Sequence, residues 1–221
     1  MIIDTETVGT WGQPLVHDVG YVIIDRKFNI LKKARFLVEE LHIQAPWILA
    51  SSEFYLKYEK DYKTARKHET IMKWKDITKA IQKDMREYKV TTISAYNLAF
   101  DYRAIKYTEE MFKSNILSKI LDQKSKSLLC LFNLACETIL QGEAYRNYAE
   151  QNNFFTEKGN IKTSAECAYS YITNNPEYKE SHTALADAED EKEILEYIIR
   201  NVKGRKDMQY GLHYNSWKKV Q

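Results

Sequence analysis

The stretch Met1-Ile2-Ile3-Asp4-Thr5-Glu6-Thr7 decides how this chain is read. Ile2 to Asp4 reads as a short β-strand, and the two carboxylates one residue apart at its end point to the same side, because side chains alternate along a strand. Close like charges raise each other's pKa unless a cation lies between them, so the pair suits a hard divalent metal. At ordinary composition about one Asp-x-Glu arises by chance in a chain of this length. The pair therefore gains meaning only if the rest of the chain supplies further ligands.

Working outward, Leu15–Asp25 (LVHDVGYVIID) reads as a second strand and Ile30–Val38 (ILKKARFLV) as a third, joined by a turn around Arg26–Asn29. Connections this short predict an antiparallel meander. Ser51 or Ser52 is placed to cap a helix carrying Phe54, Tyr55, Tyr58 and Tyr62 at helical spacing. A further helix is expected over Lys75–Tyr88, a fourth strand over Val90–Tyr96, a helix over Asp101–Phe112 and a fifth strand over Ser127–Leu131. Phe132–Leu140, Glu143–Asn152, Ser164–Thr173 and Leu185–Val202 complete the helices. This order predicts an α/β fold with a mixed five-stranded sheet, its first three strands antiparallel, flanked by helices.

The 221 residues are 44% apolar, enough for one sizeable core, and no Gly/Ser/Pro-rich linker divides them. The expected organisation is one domain over residues 1–203 and a basic aromatic tail over 204–221, with Tyr210, Tyr214 and Trp217. Three cysteines, Cys130, Cys136 and Cys167, make neither a CxxC pair nor a disulfide framework, which fits a reducing compartment. With no leader pattern and no run of membrane-spanning length, the expected location is cytoplasmic. No GxGxxG follows the first strand and no GxxxxGK[ST] is present, which excludes the dinucleotide-binding and phosphate-loop readings. Net charge is only +2, yet Lys57–Lys89 is rich in bases while Asp187–Glu196 is strongly acidic. An acidic centre in basic surroundings suits a metal-dependent enzyme acting on a polyanion, although Lys57–Lys89 also reads as a solvated helix face laced with Glu59, Asp61, Glu69 and Asp76.

Two further carboxylates fall where strands give way to helices. Asp101 follows the fourth strand within Asn97-Leu98-Ala99-Phe100-Asp101, where helix capping alone accounts for an Asp. Asp187 opens the last helix within His182-Thr183-Ala184-Leu185-Ala186-Asp187, and Ile194 and Ile198 lie on nearly the same helix face. An ionised carboxylate on a core-facing stripe is costly unless paired or bound to metal. His182 is close enough in sequence to share a site with Asp187.

With these motifs in order, Ile2–Thr7 (IIDTET), Asn97–Asp101 (NLAFD) and His182–Ala188 (HTALADA), the chain resembles the DnaQ-like 3′–5′ exonucleases of the DEDD superfamily, which have an RNase H-like fold. His182, with Thr at position 183, is similar to the subclass that uses histidine, DEDDh. The resemblance implies a domain that hydrolyses phosphodiester bonds at 3′ ends, most simply of single-stranded DNA, releasing nucleoside 5′-monophosphates. It implies two Mg²⁺ or Mn²⁺ ions held by Asp4, Glu6, Asp101 and Asp187, with Asp4 bridging both, and His182 as general base. Thr5, Thr7, Asn97, Leu98 and Phe100 would contact substrate, Phe100 and Leu98 against the terminal base. The implied partner is nucleic acid with a free 3′ end, with a polymerase or another replication or repair protein in trans and no membrane. Two alternatives stay open: an RNA-trimming 3′–5′ exoribonuclease of the same family, and a non-catalytic nucleic-acid-binding module on this fold.

Overall fold

The computed structural model describes residues 1–9, 13–68, 70–123, 125–202 and 220. The strands are β1 (Ile2–Val8), β2 (Leu15–Ile24), β3 (Ile30–Val38), β4 (Thr70–Met72), β5 (Thr92–Ala95) and β6 (Ser127–Cys130). Between β3 and β4 come one turn of π-helix (Glu40–Gln44) and the short helices α1 (Pro46–Ala50), α2 (Glu53–Lys57) and α3 (Glu59–His68). Then follow α4 (Trp74–Glu87), α5 (Leu98–Met111), α6 (Leu117–Leu121), α7 (Leu131–Thr138), α8 (Glu143–Gln151), α9 (Ala165–Thr173) and α10 (Ala184–Asn201).

One mixed sheet runs in the order β4-β3-β2-β1-β5-β6. β1, β2 and β3 form the expected antiparallel meander, while β4 joins β3, β5 joins β1 and β6 joins β5 in parallel. The sheet therefore has six strands, not five. β4 pairs Thr70, Ile71 and Met72 with Phe36, Leu37 and Val38, and three residues are too few to show alternation in sequence. β1 also runs four residues beyond the expected Asp4, because β2 is long enough to pair it out to Val8. Asp4 and Glu6 thus sit within the strand. A register shift between Glu6 and Thr7 follows the second of them.

Helices cover both faces of the sheet, as parallel crossovers require. Alternation along β1 assigns its side chains to the two layers: Ile3 packs with Val19, Tyr21, Trp74, Ile77, Ile81 and Ile105, whereas Ile2 packs with Val22, Leu131, Leu134, Ile194 and Ile198. Each such aliphatic side chain contributes about 1.5–3 kcal/mol by leaving water. Asp4 and Glu6 share the parity of Ile2 and face the α10 layer. Thr5 shares the parity of Ile3.

The aromatic helix expected after Ser52 is instead two helices, α2 and α3, separated at Tyr58. Ser52 does cap α2, its hydroxyl accepting from the Tyr55 amide at 3.2 Å. Tyr55 and Tyr62 are buried and stacked, with centroids 5.2 Å apart. Part of the basic run is the solvated face: Lys63 pairs with the half-buried Glu59 at 2.8 Å, and the exposed Lys79 and Asp76 pair at 3.2 Å. None of the described helices is long and apolar enough to cross a membrane. The expected tail, residues 204–221, lies outside the described residues apart from Val220.

Candidate active site

Asp4 and Glu6 are presented by β1, and two other elements, α5 and α10, converge on them. α5 begins at Leu98 rather than at Asp101, so Asp101 sits in the first turn of the helix, not at its cap. Asn97, with φ of 68°, makes the sharp entry from β5 that brings this turn against β1. Asp101 is 3% exposed, and its Oδ1 accepts from the Thr5 hydroxyl at 2.8 Å. Thr5, expected as a substrate contact, is thus the tie between the first and second acidic motifs. Leu98 is 1% exposed and lies in the core, with no surface to offer a base. Phe100 is half-buried with the Arg103 guanidinium 6.0 Å from its ring centre, Asn97 is exposed, and Thr7 is half-buried beside the register shift.

α10 supplies the third arm. It starts at Ala184, which places Asp187 in the first turn, 6% exposed. Ligand atoms of Glu6, His182 and Asp187 all lie within 4.8 Å of one another. The approach of α10 to the sheet depends on Gly20, which pairs directly with Asp4 across β1 and β2. A Cβ built on Gly20 would sit 2.2 Å from the Leu185 nitrogen and 2.3 Å from the Ala184 carbonyl carbon. Asp18, on the same strand, holds the helix start: its Oδ2 accepts from the Ala184 amide at 3.2 Å and from Arg35 Nη2 at 2.7 Å.

His182 lies just before the helix with φ of 53°, a left-handed conformation that non-glycine residues adopt only when held there. Two tyrosines hold it. Tyr62 donates to the His182 carbonyl at 2.8 Å, and the Tyr58 ring packs on the imidazole with centroids 4.5 Å apart. Lys57 Nζ lies 5.0 Å from the centre of the Tyr58 ring and is exposed.

The electrostatics are those of a crowded acidic pocket. Burial raises Asp4 well above the usual carboxylate range, and Glu191, Asp101, Glu6 and Asp187 add to the rise. Burial likewise lifts Glu6 to about 7, Asp101 to about 7 and Asp187 to about 8. The Glu6 and Asp187 carboxyl groups lie side by side, with ligand atoms within 4.8 Å. His182 is lowered, chiefly by burial and also by Lys57, with Glu166 opposing. Asp4 Oδ2 is buried without a hydrogen-bond partner. An orphaned anionic oxygen in such a place is costly, and a cation is the natural remedy. The donor set, carboxylate oxygens with one imidazole, fits a hard divalent ion.

Two carboxylates here were not foreseen from sequence. Glu180, in the segment leading to His182, is lifted to about 8 by burial and by Asp187, Glu166 and Asp190. Glu191, 2% exposed, lies one helical turn beyond Asp187. The stripe that carried Asp187, Ile194 and Ile198 runs through position 191, and that spacing was the available signal.

No protein-family model matches the chain, and no curated protein matches it. Among solved structures, exonuclease X in complex with 5′ overhanging duplex DNA is similar to it, with a TM-score of 0.46 and 18% identity over 94% of this chain and 95% of that one. A likeness of this size assigns no family, so the reading of the site rests on its own residues.

Proposed function

We propose that this chain is a divalent-metal-dependent 3′–5′ exonuclease of the DnaQ-like, histidine-containing kind, releasing nucleoside 5′-monophosphates from a 3′ end. The observation that carries the reading is the convergence of Asp4, Glu6, Asp101 and Asp187 with His182, from three separated stretches of sequence, around a buried carboxylate oxygen that lacks a partner. Such a group of buried carboxyl groups has no structural rationale without cations, because burial and mutual repulsion oppose their ionisation.

Two Mg²⁺ or Mn²⁺ ions would be held by Asp4, Glu6, Asp101 and Asp187. Bound there, such ions supply charge stabilisation to the transferring phosphoryl group and acidify water. The chain's own residues do the rest. His182, lowered by burial, is neutral at pH 7 and accepts the proton of the attacking water as its oxygen bonds to phosphorus and the bond to the 3′ oxygen breaks. Tyr62 and Tyr58 fix the imidazole's position during that transfer. Thr5 fixes the Asp101 carboxylate. Lys57 at the rim offers positive charge to the substrate's phosphates, and the half-buried Phe100 offers a ring to its terminal base.

The test uses 5′-labelled single-stranded DNA and RNA oligonucleotides of matched sequence with Mg²⁺ or Mn²⁺. The expected result is a ladder shortening from the 3′ end, abolished by EDTA and by Asp4→Asn. Shortening of RNA alone would redirect the reading to an exoribonuclease. Binding of both substrates with no cleavage under any metal would make the chain a binding module and sink the proposal.

A further inference from the structure

The carboxylate deepest in the α10 layer is not among the expected ligands. Glu191 is 2% exposed, with the backbone of Tyr96, just past β5, beside its carboxyl group. Its Oε2 is buried with no hydrogen-bond partner. Asp4 Oδ2 has the same property, and Glu191 is the foremost of the charged neighbours that act on Asp4. The buried basic side chains do not offset it: Lys192 is committed to Glu193 at 3.0 Å and to Glu196, and Arg35 to Asp18 at 2.7 Å. A glutamate buried only to fill space would leave this oxygen at a large desolvation cost for no return. Position 191 also lies on the same stripe of α10 as Asp187, so the helix that presents one ligand presents both.

We infer that Glu191 is a fifth carboxylate of the cation site, supplying an anionic oxygen beside Asp4 to a bound divalent ion or to the water on that ion. This rests on the metal-dependent reading of the site. It assigns Glu191 a role in holding the ion, distinct from the acid–base chemistry at His182. Groups that orient a metal's ligands or waters typically contribute about 10–100-fold in metal affinity.

Glutamine is the decisive replacement, since it keeps the shape and volume of the side chain but carries no charge. Mn²⁺ alone is titrated calorimetrically into the metal-free full chain, and the melting temperature of each variant is followed by circular dichroism with and without Mn²⁺. Glu191→Gln is expected to fold, to melt no lower than wild type without metal, and to bind Mn²⁺ at least about tenfold more weakly. Wild-type Mn²⁺ affinity in Glu191→Gln overturns the inference. Should Glu191→Gln fail to fold, Glu191→Asp retains the charge and withdraws the oxygen by one methylene; weakened Mn²⁺ binding there supports the assignment and unchanged affinity overturns it. Asp4→Asn in the same titration separates the two levels of the reading. If wild type binds Mn²⁺, Asp4→Asn loses it and Glu191→Gln keeps it, only Glu191 is misassigned. If wild type itself binds no Mn²⁺, the metal-dependent reading falls, and Glu191 with it.

Discussion

Gly20→Ala tests whether the site is assembled by the close approach of α10 to β2. The added Cβ would lie 2.2 Å from the Leu185 nitrogen, 2.3 Å from the Ala184 carbonyl carbon and 2.5 Å from the Ala184 oxygen, where real Cβ contacts essentially never fall below 3.0 Å. All three neighbours are backbone atoms, so no side chain can rotate away. The helix start or the strand must move by about 0.8 Å to clear the nearest one. Overpacking of this kind costs about 1–3 kcal/mol, and contact with two rigid backbones places Gly20 toward the upper end. The same movement displaces Asp187 and His182 from Glu6. A misplacement near 1 Å in catalytic geometry costs on the order of 100-fold in rate. Urea unfolding followed by circular dichroism should show a lower midpoint with an unchanged slope, and Mn²⁺ affinity and oligonucleotide hydrolysis should both fall. Gly142→Ala is the control: its nearest neighbour is the Ile139 oxygen at 4.0 Å, and the cost there should stay below about 1 kcal/mol. If Gly20→Ala unfolds at the wild-type midpoint and retains wild-type Mn²⁺ affinity, the helix is not held by this contact and the account of the site's assembly is wrong.

Three other perturbations follow from the same network. Asp18→Ala leaves the Arg35 side chain, only 8% exposed, without its carboxylate and frees the Ala184 amide; a loss of about 3–5 kcal/mol is expected by denaturant titration, and a loss under 1 kcal/mol would show that the pair is not holding α10. Tyr62→Phe removes the bond to the His182 carbonyl, with about 0.5–1.5 kcal/mol lost in stability and a larger fall in kcat than in substrate affinity; an unchanged kcat would remove Tyr62 as a positioning residue. Without metal, stability should fall as pH rises from about 4 to about 8. Asp101, Glu6, Asp187 and Glu180 keep their protons to about 7–8 in the folded chain but lose them near 4 when unfolded, and the lowered His182 and Met1 amine oppose this only in part. Thermal melts in EDTA across that window check the sign, and saturating Mn²⁺ should abolish the decline.

The sequence made the sheet legible where its pattern is long. β2 and β3 are runs of β-branched and aromatic residues, and their ends were placed within a residue of where they fall. β4 escaped because its three residues owe their conformation to β3 rather than to their own pattern. The break between α2 and α3 escaped for a related reason, since tyrosines at helical spacing fit one helix or two equally well. Among the candidate residues, the acidic motifs were visible as types in order. The engagement of Thr5 by Asp101 and the burial of Leu98 were not, because each depends on what α5 meets when it packs.

What the sequence by itself determined is the parity of Asp4 and Glu6 on one strand and the helical stripe of Asp187, since these follow from fixed repeats of about 2 and 3.6 residues. It could not show that Glu191 and Glu180 join the same pocket, or that tyrosines from α3 and its approach hold His182. Those facts depend on how closely α10 lies against β2, and that distance is set by the missing side chain at Gly20 and the reach of Asp18. Local repeats fix the direction in which a carboxylate points; only packing fixes which other charges it must face, and that crowding is what the proposed cations would relieve.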